Sequence, residues 1–204
     1  MLPTNGIATF DGFNDYVDVP DNATLDFGTA DLLVSARIKT TSRQLDVIVD
    51  KRVEQSGPVQ GFVFFLGQGN LGFQLADGNG WTNYGSNAFV ADGEWHDIAV
   101  TVDRDKTDGG QFYLDGMLAG TFNPTGRQGS LNNSIDLTIG RRSDSSNLGS
   151  FTGSLDNVCV AQGTDLSVCE KKSVPEPSSL LGIVALGTFG AILPQLGKRI
   201  RKTR

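Results

Sequence analysis

The sequence predicts an all-β body, a two-sheet antiparallel sandwich, followed by one C-terminal transmembrane helix. Three observations predict it. Short runs of alternating apolar and polar residues extend from Thr9 to Val160, as strands with one buried face require. Twenty-six glycines and repeated Asp-Gly pairs interrupt those runs at tight turns. The last 31 residues change character. They open on a Pro-Glu-Pro box, continue through a nearly uncharged apolar run over 180–196, and end in a basic cluster.

The elements follow in order. Tyr16 stands between Asp15 and Asp18 in a short first strand, and Leu33–Ile38 reads as a longer one. Val47, Ile48 and Val49 lead into Asp50, Lys51 and Arg52. Phe62–Leu66 is apolar throughout, which predicts cover on both faces. Leu71, Phe73 and Leu75 alternate with Gly72 and Gln74 and so share one face. Ile98, Val100 and Val102 repeat that pattern, as do Phe112 with Leu114, and Ile135, Leu137 and Ile139. Leu155 and Val158 belong to a closing strand whose odd spacing predicts a bulge near Asp156. Asp115-Gly116 is the strongest hairpin signal, because both residues tolerate positive φ. No strong amphipathic helix precedes the tail. Ten or more short strands require two packed sheets.

The net charge is −6, and the portion before the box is near −10. That excludes nucleic acid as a partner, since its phosphates need basic patches. Cys159 and Cys169 are ten positions apart. In an exported protein they pair and close a short loop; in a cytosolic chain they remain thiols. Their spacing, with no histidine near, makes a poor zinc site.

An apolar run of about 17 residues rises about 26 Å as a helix, near the lower limit for a bilayer core. Lys198, Arg199, Arg201, Lys202 and Arg204 beyond it favour the cytoplasmic side, leaving the body outside. Pro194 weakens the last turn. The box at Val174, Pro175, Glu176 and Pro177, the Gly- and Leu-rich run and the basic end together resemble a PEP-CTERM sorting signal. The resemblance implies an exosortase-type processing enzyme as partner. It also implies a membrane-anchored precursor with a cytoplasmic C-terminus, and delivery to the cell envelope or extracellular matrix. Residues 1–14 lack the basic and apolar regions of a signal peptide, so a mis-assigned start or a fragment is expected.

Six segments in series carry a second resemblance: Ala8–Pro20, Phe27–Thr40, Asp92–Val100 with its Trp95-His96 pair, Phe112–Gly116, Thr138–Arg141, and Phe151–Val160. Together they resemble a laminin G-like domain of the concanavalin A-like jelly-roll group. This implies a jelly-roll body over 1–163, a linker over 164–173 containing Cys169, and the sorting signal over 174–204 with its helix over 180–196.

Candidate sites follow from residue chemistry. Trp81, Asn83 and Tyr84 lie in a Gly-rich loop over 76–87 and resemble a sugar-binding loop; packing over the sandwich edge is the alternative. Calcium, implied by the resemblance, needs six to eight oxygens. Asp11 and Asp156 meet if the first and last strands are neighbours, and Asp77 with Asn79 offers another oxygen-rich turn. Aspartates in turns otherwise bond their own backbone. His96, the sole histidine, reads as a structural hydrogen-bonding group. Retaining glycosidases need paired carboxyl groups about 5–5.5 Å apart, and no Glu-Asp-Glu array occurs on one strand face. The expected function is therefore a non-catalytic, exported module that binds an extracellular polysaccharide or another matrix component. The alternatives are a structural matrix protein and a glycoside hydrolase.

Overall fold

The computed structural model describes residues 6–54, 58–144 and 148–170. Among these, twelve strands form two six-stranded antiparallel sheets. The first sheet runs, edge to edge, β1 (Ala8–Asp11), β12 (Thr152–Gln162), β3 (Leu32–Lys39), β8 (Trp95–Val102), β9 (Gly110–Leu114) and β10 (Met117–Phe122). The second runs β2 (Val17–Val19), β11 (Leu137–Ile139), β4 (Leu45–Val53), β5 (Gln60–Gly67), β6 (Asn70–Asp77) and β7 (Trp81–Phe89). Consecutive strands alternate with long crossings between the sheets, so the first and last strands become neighbours, with Ala8 opposite Leu155.

Alternation decides which side chains meet in the middle. In the β5–β6 pair, Phe62 faces Leu75, Phe64 faces Phe73 and Leu66 faces Leu71. All six are buried in the shared core. Phe27 packs edge-on against Phe62 at 5.5 Å, and Phe73 of the second sheet packs against Phe122 of the first at 6.3 Å, which ties the sheets together. Each such side chain contributes about 1.5–3 kcal/mol by leaving water. Phe65, on the opposite face of β5, is only half-buried, so cover on that face is incomplete.

Turn chemistry fixes the register. Asp115 and Gly116 both take positive φ (50° and 76°), the conformation of a two-residue hairpin turn between β9 and β10. Asp115 also accepts the Asp97 amide (2.9 Å) and bonds His96 Nδ1 (2.8 Å), while His96 Nε2 reaches Asp92 (3.1 Å). Partial burial opposes protonation of His96, but the two carboxylates outweigh it and raise its pKa above the ordinary value. The predicted bulge lies where expected: the β12–β3 register shifts between Asp156 and Cys159, with Asn157 at φ 52°.

Cys159 and Cys169 are joined by a disulfide, with Cα atoms 5.8 Å apart. It closes a ten-residue separation at the end of β12. Replacing both cysteines by alanine is expected to lower the unfolding free energy by about 2–3 kcal/mol, chiefly by freeing the unfolded chain. Urea midpoints under non-reducing conditions measure this; equal midpoints for the two proteins would refute it.

The expected transmembrane helix is corrected. No helix among the described residues is long and apolar enough to cross a membrane; the helical segments there are single 3₁₀ turns at Ala23–Leu25 and Leu166–Val168. The run over 180–196 lies outside the described residues. Its sequence was a weak basis for a span. About 26 Å falls short of a hydrocarbon core of about 30 Å, and the run contains Gly182, Gly187, Gly190 and Pro194, all poor helix formers. The membrane-anchored precursor, the cytoplasmic C-terminus and the exosortase-type partner rested on that run and fall with it.

Candidate functional site

The outer face of the second sheet carries the cleft. Alternation places Asp50, Val63, Gln74 and Asn83 in one cross-strand row, and Arg52, Gly61, Ala76 and Trp81 in the next. Arg52 and Trp81 are thus three strand spacings apart, about 14 Å. Nothing larger than a methyl group rises between them in that row. Further along, Phe65 lies over Gly72, where an added Cβ would stand 2.5 Å from the ring. The result is a cleft of about 260 Å³ with Leu45, Val47, Val63 and Phe65 at its apolar end. Arg52, Glu54, Gln74, Asn83 and Arg142 line its polar end, with Trp81 beside them.

A hydrogen-bonded network crosses this polar end. Arg52 donates to Gln74 Oε1, to Asp50 (3.3 Å) and to Glu54 (3.0 Å). Gln74 donates onward to Asn83 Oδ1 (2.6 Å). Arg142 pairs with the same Glu54 and with Asp144 (3.2 Å). Asp50 is fully buried. Desolvation outweighs the pull of Arg52 and the Ser143 amide, and pushes its carboxyl up to about 7. Three buried side-chain atoms of this cluster, Asp50 Oδ1, Arg52 Nε and Arg142 Nε, have no hydrogen-bond partner among the described residues.

The sugar-loop residues divide between faces. The segment over 76–87 is not a loop: a tight turn at 78–80 leads into β7, an edge strand. Trp81 and Asn83 point into the cleft, and Trp81 is 53 % exposed. Tyr84, one position on, points the other way and stacks on Phe122 at 4.1 Å. Arg127 holds Trp81 in place by donating to Trp81 O (3.2 Å) and Thr82 Oγ1 (2.9 Å), with Asp77 at 3.4 Å. Arg52, Glu54, Gln74 and Arg142 were missed. Strand alternation alone puts Arg52 on the outer face, but nothing local ties it to a residue 29 positions away.

The calcium candidates Asp11 and Asp156 do not meet. Asp11 lies opposite Thr152, whereas Asp156 stands four residues further along β12, opposite Arg37. At about 3.3 Å per residue they are about 13 Å apart. Asp11 Oδ1 instead accepts the Phe13 amide (2.8 Å), and Asp156 Oδ1 accepts the Asn157 amide (2.9 Å). Asp77 accepts from the amides of Asn79 and Gly129 and from Arg127, so its oxygens serve the turn. Among the described residues no group of three or more His, Cys, Asp or Glu could hold a metal ion. A convergence of oxygens is filled by a cation of the chain itself. The buried Lys51 ammonium lies within 2.6–3.2 Å of Asp21 Oδ1, Asn133 O, Asn133 Oδ1 and Ile135 O.

Comparison with known proteins agrees with this architecture. The mouse laminin alpha1 chain, domains LG4-5, superposes with a TM-score of 0.61 at 20 % identity, covering 81 % of this chain and 44 % of that one. The binding domain of Paraclostridial Mosquitocidal Protein 1 gives 0.59 at 15 % identity, with 80 % and 46 % covered. The chain thus spans less than half the length of either. The Ruminococcus gnavus IT-sialidase CBM40 bound to alpha2,3 sialyllactose gives 0.52 at 14 % identity, with 74 % and 92 % covered. These likenesses establish the fold alone. No curated protein matches the chain. The sorting-signal resemblance at 174–177 finds no support in these comparisons and lies outside the described residues. The sequence family described as the concanavalin A-like lectin/glucanases superfamily matches residues 10–165, and the chain belongs to that superfamily.

Proposed function

We propose that this protein is a non-catalytic carbohydrate-binding module whose ligand lies in the cleft between Arg52 and Trp81. The observation that carries the reading is the exposed Trp81 ring beside the amides of Gln74 and Asn83 on one sheet face. An aromatic ring suits the apolar face of a sugar, and amides both donate to and accept from hydroxyls. The laminin domains and the sialyllactose-bound module named above lend support, since they share the sandwich.

The carboxyl groups favour binding over hydrolysis. Asp50 has the raised pKa of a general acid, but its side chain is fully buried and outside the cleft lining. Glu54 does reach the cleft, yet it is already paired with both Arg52 and Arg142. A retaining glycosidase needs two accessible carboxyl groups with opposed protonation states.

Trp81→Ala is expected to lower glycan affinity at least about tenfold, as for an aromatic anchor at a binding surface. Because the ring is half in water, the melting temperature is expected to stay unchanged. A glycan array, followed by calorimetric titration of the best hit, tests both. An array without hits, or unaltered affinity in the variant, refutes the site; release of sugar from a bound oligosaccharide refutes the non-catalytic reading.

A further inference from the structure

We propose that the cleft selects uncharged saccharides and rejects those bearing carboxylate or sulfate groups. This rests on the carbohydrate reading above and adds the charge class of the ligand. Two arginines in a binding cleft ordinarily invite an anion. Here both are already engaged. Arg52 reaches Glu54 and Asp50, and Arg142 reaches Glu54 and Asp144. Two guanidiniums therefore face three carboxyl groups, and Glu54 bridges the pair. An incoming carboxylate competes with Glu54 for these guanidiniums, and displacing Glu54 leaves it partly buried without its partners. Removing one partner from such a pair leaves an uncompensated charge, and that cost exceeds the gain from a new surface contact.

The surroundings act in the same direction. Residues 1–170 contain 10 Lys and Arg against 22 Asp and Glu, a net charge of −12. An anionic glycan approaches against that field, which reaches about 8 Å at physiological salt. Beside these paired charges the cleft presents uncharged groups, the Trp81 ring and the exposed Asn83 amide. Hydroxyl groups satisfy that amide without adding charge.

The test is an array of neutral oligosaccharides beside their sialylated, uronic and sulfated counterparts, probed with the full chain at low and physiological salt. Wild type is expected to bind neutral members at least about tenfold more tightly than their acidic counterparts, with the gap narrowing as salt rises. Glu54→Gln frees a guanidinium and is expected to narrow the gap further. Equal or tighter binding of acidic glycans, or a gap that neither salt nor Glu54→Gln alters, overturns this inference while leaving the carbohydrate reading intact. Binding to no glycan at all overturns both. The wild-type salt series decides the matter even if the variant fails to fold.

Discussion

Raising the pH from about 4 to about 8 is expected to destabilise this domain by up to about 4 kcal/mol through Asp50 alone. The sign follows from the direction of its shift. The carboxyl is raised from 3.8 to about 7 by desolvation, so the folded state holds a proton that the unfolded state has released. Stability from this group is complete below the ordinary carboxylate range and is lost as pH rises through about 7. Asp18 and Asp46, raised first of all by partial burial, act in the same sense. So does His96, whose contribution is lost above its raised pKa. The exposed carboxylates that bonding lowers, such as Asp92 and Asp103, act oppositely and only in more acid solution. Maximal stability therefore falls on the acid side of neutrality. Urea unfolding of wild type and Asp50→Asn across this range measures it. The variant is expected to show a flatter profile; parallel profiles would sink the assignment.

Arg104→Met is expected to lower the unfolding free energy by about 3 kcal/mol, and the melting temperature by roughly 10 °C. Arg104 is fully buried. Its guanidinium donates to Arg127 O, Gly129 O (2.6 Å) and Gly28 O (3.2 Å), tying the 127–129 segment to the start of the sandwich. Gly28 O keeps a second donor in the Leu131 amide, but Arg127 O and Gly129 O lose their side-chain donor. The effect extends to the cleft, because Arg127 from this same segment holds the Trp81 carbonyl. Glycan affinity is therefore expected to fall as well, well below the melting transition. Differential scanning calorimetry and titration of the same variant separate the two effects. A large thermal loss with unaltered affinity would show that the segment does not position Trp81.

Much of the architecture was legible because strands declare themselves locally. Leu71, Phe73 and Leu75 share a buried face as alternation requires, and Asp115-Gly116 turns the hairpin that its backbone freedom suggested. β7 was hidden. Asn and Gly are poor strand residues, and only pairing with β6 makes Trp81–Phe89 extended. Reading it as a loop grouped Trp81 with Tyr84, which a strand sends to opposite faces. The remaining cleft residues were illegible for a different reason. Arg52 and Gln74 come from separate strands, and only long-range register brings them beside Asn83. Asp11 and Asp156 show the reverse: their strands are neighbours as expected, but register, which local sequence does not encode, keeps them apart.

The antiparallel pairing of β1 with β12 has a mechanical consequence. Ala8 lies beside Leu155, and β12 continues past it toward Gln162, so the leading end of one strand and the trailing end of the other leave the sheet on the same side. Tension applied between those two ends loads the rungs one at a time, as a zipper is drawn, rather than all together in shear. Pulled in this way, the body is expected to yield at low force, beginning at Ala8.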